Sequence, residues 1–557
     1  MSSATAHSLA ERPAAARTRA GTLAGTWNLV RFILRRDRVR LAVWAGSVVA
    51  FYAYFTFALD TVFSDPAARQ GRAAVMETPA GIVMGGPGYG LDDYTTGVAI
   101  ANEGIVWMVL ALATMSILHV VRHTRAEEES GRSELVRAAV VGRHAPAAAA
   151  VITLVLSQAV IAAVGALAMV GVGTDMAVVD SFGVTIGSGL SALVFGAVAV
   201  VFCQVMDHGR GAIGASLAVV GLAFVIRAAG DMRELGGSTL SWFSPFAWAQ
   251  QMRSFVELRW WPALLSVAAT VVLLWLGAAL ASRRDFGGGL VASRAGRADA
   301  RPTLRSPFVL AWRQQSSALL WSALGLGLMW YATGTLMPEI GSMIGDMVAD
   351  NLAAAQIFGP DTSVLSVTFL GVMIMFAALC CAAYAIVLGG RPNGEERAGR
   401  VEVALALPVS RSRWLGSQLL VVGLGTLIVL TVSVYGMWLG AVTVGWEDQT
   451  FADYTVVLLA YLPALGVYLG LVAALFAWLP RLTGLAWALL AYSFVVGMFG
   501  GLFELPDWAL RLSPLDWVPA PFLEDVAVGD VLGLWAVAIV LLALAFVGFR
   551  RRDVVTT

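Results

Sequence analysis

Two stretches of the chain read alike: Glu127-Glu128-Glu129-Ser130-Gly131-Arg132-Ser133-Glu134-Leu135, running on to Gly142-Arg143, and Glu395-Glu396-Arg397-Ala398-Gly399-Arg400-Val401-Glu402-Val403, running on to Pro408-Val409-Ser410-Arg411. The acidic pair, the Gly-Arg, the next glutamate and the closing arginine each recur 268 positions later, as 395 follows 127. Arg283-Arg284-Asp285 recurs at the same offset as Arg551-Arg552-Asp553. Ser244-Pro245-Phe246-Ala247-Trp248 matches Ser513-Pro514-Leu515-Asp516-Trp517, one position out of step. An offset held over so long a stretch marks an internal duplication.

Outward from these motifs the chain is a series of apolar runs, each near the ~20 residues that a helix needs to cross a bilayer. They fall at 41–60, 98–121, 146–172, 182–206, 211–229 and 260–282, then at 315–337, 366–389, 413–443, 453–479, 482–503 and 530–549. Six spans per copy give both copies the same orientation, a parallel repeat about an axis along the membrane normal. The expected fold is an all-α polytopic integral membrane protein with twelve transmembrane helices as two parallel six-helix repeats. Residues 1–24, Ala/Arg/Thr-rich without an apolar signal segment, are expected to form a disordered cytoplasmic tail. Residues 25–290 are the first repeat, 291–305 a cytoplasmic linker and 306–557 the second repeat.

Composition agrees. Of 557 residues, 58% are hydrophobic and 13% charged, against about 45–50% and about 25% in soluble domains; mean hydropathy is +0.76. All 37 basic residues are arginine, and there is no lysine. That excludes a P-loop, whose lysine reaches the β/γ-phosphates, and Schiff-base catalysis. If ATP drives the protein, another polypeptide hydrolyses it. Cys203, Cys380 and Cys381 sit in apolar stretches with no metal or disulfide spacing; no catalytic residue, metal or nucleic-acid partner is expected.

Arginine-rich connections stay cytoplasmic. Arg122, Arg125, Arg132, Arg137 and Arg143 follow the second span, and Arg391, Arg397, Arg400, Arg411 and Arg413 follow its counterpart. The linker and the C-terminus are also arginine-rich, whereas Pro338 to Val364 has none. Both termini are therefore expected in the cytoplasm.

In each duplicated loop a charged start and a glycine precede a short helical stretch. Leu135, Val136 and Ala139, or Val403, Ala404 and Leu407, fall on one helical face. A loop that only set topology needs arginines, not Glu-Glu, Gly-Arg and Glu at fixed spacing twice. The pattern resembles the type-2 ABC exporter permeases, and a fused twelve-span chain of this size is similar to bacterial exporter permeases of the tetronasin type, associated with polyketide antibiotics. The resemblance covers essentially the whole chain. It implies an efflux permease for hydrophobic or amphipathic compounds in the bacterial plasma membrane. Its partner would be a homodimer of a separate ATPase subunit carrying ATP and Mg. It also implies that Glu127, Glu128, Gly131, Arg132, Glu134 and Arg143, with Glu395, Glu396, Gly399, Arg400, Glu402 and Arg411, form coupling loops against that ATPase. The first copy departs from the pattern, with Gly142-Arg143 where the second has Pro408-Val409-Ser410-Arg411.

Each copy opens on an amphipathic segment. Trp27, Val30, Ile33 and Leu34 alternate with Arg31, Arg35, Arg36 and Arg38, and Phe308, Leu310, Trp312 and Arg313 stand in the equivalent place. Such a helix lies in the interface plane; the resemblance implies an elbow helix leading into the first span. Gly-Pro breaks at Gly86-Pro87 and Gly359-Pro360 mark turns in both large outer connections.

Charge inside the spans is sparse: Glu103, with Gly371 at the matching offset, then His119 and Arg227, read as interfacial. A proton-coupled secondary multidrug transporter is the alternative, and twelve spans in two parallel halves suit it; the lack of a carboxylate chain counts against it. A lipid-modifying enzyme would need clustered Asp, Glu or His, and five scattered histidines predict none.

Overall fold

The computed structural model describes residues 21–62, 66–77, 79–132, 134, 141–284, 287–291, 299, 304–338, 362–499, 506–518, 522–523 and 526–553. Among these there is no strand. The chain forms two compact units, Met1–Gly296 and Arg297–Thr557.

In the first unit, α1 (Thr26–Arg36) and α2 (Arg38–Val62) meet at Asp37. Short helices α3 (Pro66–Glu77) and α4 (Pro79–Met84) follow, then α5 (Ile105–His123), which continues after Thr124 as α6 (Arg125–Glu129). Next come α7 (Ala145–Val172), α8 (Val178–Val205), α9 (Gly209–Asp231), the short α10 (Pro245–Gln250) and α11 (Trp261–Arg283). The second unit holds α12 (Pro307–Gly334), α13 (Thr362–Gly389), short α14 (Arg391–Arg397) and α15 (Arg400–Leu405), then α16 (Arg411–Thr443) and α17 (Phe451–Trp478). It closes with α18 (Leu485–Phe499), α19 (Asp507–Leu510) and α20 (Val528–Arg551).

Ten helices among the described residues are long and apolar enough to cross a membrane. The other two expected spans correspond to α12 and α18. α12 is long enough but diluted by Arg313, Gln314, Gln315, Ser316 and Ser317. α18 is described over 15 residues only. The protein is thus an all-α polytopic membrane protein, ten of whose helices meet the criterion.

The duplicated sequence yields duplicated neighbours. In both units the first long helix packs on the third, the second on the fourth and the fourth on the sixth. The inner core of each unit forms on α5 and α8, or on α13 and α17, through residues such as Leu112, Phe195 and Ala199, or Leu370, Tyr468 and Phe476. α2, α11 and α20 instead leave most of their apolar surface uncovered by protein, as lipid-facing helices do. Several hydroxyls and amides in the long helices are satisfied locally. Ser116, Ser188 and Ser433 donate to the carbonyl four residues back at 2.7–2.8 Å. Gln315 of α12 donates to Gln418 of α16 at 3.0 Å.

Against lipid there is little hydrophobic drive between helices, so close approach matters. Gly436 and Gly440 of α16 form a GxxxG edge against α12. A Cβ at Gly440 would stand 2.0 Å from the Tyr331 carbonyl oxygen, and one at Gly436 2.9 Å from that of Gly327.

The two units differ at their entry. In the first, α1 is a separate helix that buries Val30 and Ile33 against Ala149 and leaves Trp27 and Phe32 uncovered. In the second, Phe308 to Arg313 belong to one continuous helix with the first span, so the expected separate elbow is absent there. Residues 21–24, read as tail, are held: Gly142 N–H donates to the Ala24 carbonyl at 2.9 Å and His144 N–H to that of Thr22 at 3.0 Å. Residues 1–20, the segment Leu135, Val136 and Ala139, and Gly359-Pro360 lie outside the described residues.

Gly440→Leu is expected to force α12 and α16 apart and to lower stability by about 1–3 kcal/mol, the range for overpacking. Denaturant unfolding in mixed micelles, with exposed Leu420→Ala as the unaffected control, checks it.

Candidate functional site

The duplicated loop sits at the C-terminal end of the second long helix of each unit. α5 runs into α6 across Thr124, and Gly131, at φ 72°, ends that turn. α13 runs into α14, and Gly399, at φ 70°, starts α15. Only glycine enters this left-handed region without strain, which explains why it recurs at this point.

The acidic pairs do not point freely into solvent. Glu128 meets Arg284 at 2.6 Å and Arg125 at 2.8 Å. Its repeat, Glu396, is ion-paired with Arg552, the repeat of Arg284. Arg143 donates to the Arg284 carbonyl at 2.9 Å, and its repeat Arg411 donates to the carbonyl of Arg552 and, at 3.3 Å, to that of Phe549. The two motifs that recur in the sequence are therefore the two sides of one contact: the second glutamate and closing arginine of the loop grip the Arg-Arg end of the sixth long helix. Their offset is shared because they touch.

The first glutamates diverge. Glu127 bonds Arg36 of α1 at 2.7 Å and lies 3.9 Å from Arg132. Glu395 bonds Arg400 at 2.7 Å, with Arg391 at 3.7 Å. What remains outward is the other part of each motif. Arg132, Glu134 and Arg143 are exposed in the first copy; Arg400, Glu402, Val403 and Leu407 are exposed in the second. In α15 the buried face is carried by Val401, while Val403 and Leu407, grouped by spacing with Ala404, are left uncovered.

Sequence reasoning missed three groups. Buried Arg125 donates to the carbonyls of Asp207, Gly287 and Gly288 at 3.0–3.1 Å. At the matching position Asn393 donates to the Pro480 carbonyl at 3.0 Å and to Thr483 at 3.2 Å. Both tie the loop to the connection after the fourth long helix, yet Arg and Asn share no motif that would betray this. The second group is Asp37, which accepts from Arg122 at 3.0 Å and meets His123 at 3.0 Å, with the His119 ring tilted against that of His123 at 4.7 Å. Burial pushes the Asp37 carboxyl up, but Arg122 and His123 outweigh it and hold it below its usual range. The scattered histidines thus do form a cluster, and the spacing of four between His119 and His123 was its signal. No group among the described residues is arranged to hold a metal.

The third group lies at the opposite end of the first unit. Glu103 sits in a π-helical turn, Ile100–Gly104, and takes a bidentate bond from Arg72, with 2.9 and 3.1 Å contacts from Nε, and another from Tyr94 at 2.8 Å. Arg227, expected at the interface, is fully enclosed. It donates to the carbonyls of Ile82, Val83 and Gly85 at 2.7–3.2 Å and lies 3.6 Å from Asp231.

Two helix-repeat units, apolar outer helices left uncovered by protein and a duplicated charged loop define a multi-pass membrane protein. The chain matches the family model described as multidrug efflux system permease Rv1217c, C-terminal domain, over residues 29–280 and 304–550. It is 35% identical to the multidrug efflux system permease protein Rv1217c of Mycobacterium tuberculosis, strain ATCC 25618 / H37Rv, over 553 residues, 98% of either chain. The protein belongs to this family of multidrug efflux permeases.

Removing one side of a partly buried ion pair costs about 1–3 kcal/mol. Double-mutant cycles on unfolding are expected to show coupling for Glu128/Arg284 and for Glu396/Arg552, and none for the crossed pair Glu128/Arg552.

Proposed function

We propose that this permease is the membrane subunit of an ATP-driven exporter of the type-2 ABC class, moving hydrophobic or amphipathic compounds such as antibiotics out of the cell. It resides in the bacterial plasma membrane with both termini cytoplasmic. ATP and Mg are bound on a homodimer of a separate nucleotide-binding subunit, one copy under each duplicated loop.

The observation that carries this reading is the division of labour inside the loop. Glu128 and Glu396 clamp it to the sixth helix of their unit, while Arg132 and Glu134, or Arg400 and Glu402, remain exposed. A docking element needs both an outward charged face and a stiff connection to the helices it moves. Glu127, Glu128, Gly131 and Arg143, with Glu395, Glu396, Gly399 and Arg411, then hold the coupling loop in shape; Arg132, Glu134, Arg400 and Glu402 meet the ATPase. The alternative, a proton-coupled transporter, wants ionisable groups free to exchange protons. Glu103 and Asp231, carboxylates in the membrane helices of the first unit, each stand beside an arginine instead.

The test is ATP hydrolysis in lipid by the chain together with the ATPase encoded beside it. Charge reversal at exposed Glu134 and Glu402 together is expected to abolish drug-stimulated hydrolysis while the permease unfolds close to wild type, since exposed substitutions seldom shift stability by more than about 0.5 kcal/mol. Transport that follows a proton gradient and ignores ATP would instead establish the secondary transporter.

A further inference from the structure

The ends of the two units remote from the duplicated loop have diverged in a way that the sequence repeat makes measurable. Some of that end is still shared. Trp248 donates its indole N–H to the carbonyl of Trp242 at 2.7 Å, and Trp517, its repeat, donates to that of Arg511 at 2.7 Å. Around this common feature the polar groups have moved.

In the first unit the space beside the second long helix is occupied by Glu103, held by Arg72 and Tyr94. Ser244 spends its hydroxyl as a helix cap, accepting from Phe246 N–H at 3.3 Å, and Ala247 is buried and apolar. In the second unit glycine stands at the position of Glu103, as Gly371, and Asp516 stands at the position of Ala247. Ser513, the repeat of Ser244, caps no helix. It is 1% exposed, and its Oγ has no hydrogen-bond partner among the described residues.

These changes leave a cavity of about 300 Å³, at the lower end of the ~300–1,000 Å³ typical of small-molecule sites. Gly371, Met375 and Val496 form its apolar wall; Tyr461, Ser493 and Ser513 supply hydroxyls, and Asp516, itself exposed, is the one carboxylate in its lining. Among the described residues Asp516 makes no ion pair within 4 Å; Arg511, which lies over the Trp517 ring, acts on it only at longer range. A buried hydroxyl without a partner is costly, and in a small apolar cavity with one carboxylate it points to a ligand that completes the set.

We propose that the second unit carries a binding subsite for lipophilic amines. The apolar body of the ligand fills the space opened by Gly371, its ammonium faces the Asp516 carboxylate, and the Ser513 hydroxyl accepts a second N–H. The first unit, its corresponding space filled by the Arg72–Glu103 pair, has no such subsite. The proposal deepens the efflux reading by assigning one cargo class to one unit, and it rests on that reading for its physiological meaning.

The test needs no ATPase and no nucleotide, so its outcome is separate from that of the coupling experiment. The full-length chain in nanodiscs is titrated with dansylcadaverine, an aromatic sulfonamide bearing one primary ammonium, and with its N-acetyl derivative, matched in size but uncharged. Empty nanodiscs supply the background. Asp516→Asn is expected to weaken dansylcadaverine binding about two- to fivefold, the range for an ion pair at an exposed carboxylate, and to leave the acetylated probe unchanged. Ser513→Ala, which removes a hydroxyl that has no partner among the described residues, is expected to weaken the amine several-fold with unaltered unfolding. Val372→Trp fills the cavity and is expected to abolish binding of both. Wild-type binding by D516N and S513A overturns the proposal, as does an equal loss of both probes in D516N.

Discussion

A polar group facing hydrocarbon without a partner costs several kcal/mol, and the described polar groups of this protein are arranged around that penalty. Hydroxyls in the long helices bond back to their own backbone, as Ser116, Ser188 and Ser433 do. Gln315 and Gln418 answer one another across α12 and α16. Arg227, with no exposed surface, is matched to three carbonyls at the end of α4 and to Asp231. These bonds leave some buried polar atoms without a hydrogen-bond partner among the described residues, Arg227 Nε and Asp231 Oδ2 included, and packing between helices is left largely to shape. That is why Gly436 and Gly440 matter where α16 crosses α12.

The loop clamp follows the same economy at the helix ends. Glu128 and Arg284 are 156 positions apart in the chain, and so are Glu396 and Arg552. A partly desolvated carboxylate and guanidinium can each be retained only while the other is, so both survived the duplication at one offset. Arg143 and Arg411 extend the contact to the backbone of the arginine they face. The exposed part of either loop is thereby tied to the sixth long helix of its unit.

At the other end the units were free to part. The first invested its polar groups in closure: Arg72 with Glu103, Arg227 with the end of α4, Ser244 on the helix it caps. The second has Gly371 where the first has a carboxylate, has one at Asp516, and leaves Ser513 Oγ without a partner among the described residues, beside an open cavity. A duplicated permease can thus keep a symmetric drive and an asymmetric interior.

The membrane class, the helical architecture and the duplication were legible in the sequence, because each rests on a local property: run length, apolar composition or repeat spacing. Ten helices meet the spanning criterion, and α12 falls short through its own Arg313, Gln314 and Gln315. The recurring site residues were legible as well, but not their contacts. Glu128 read as an outward coupling residue is half-buried against Arg284, and the apparent elbow at Phe308 runs straight into its span. Arg125 and Asn393 do one job with two chemistries, and Asp37 joins His123 from 86 positions away. By itself the sequence determined what must be buried and what repeats, since hydrophobicity and periodicity are properties of neighbours along the chain. Which charges are spent on one another, and which are left to face a partner or a ligand, only the tertiary structure decided. A charge is free or paired according to what folding brings within hydrogen-bond reach, and those groups lie scores of residues away.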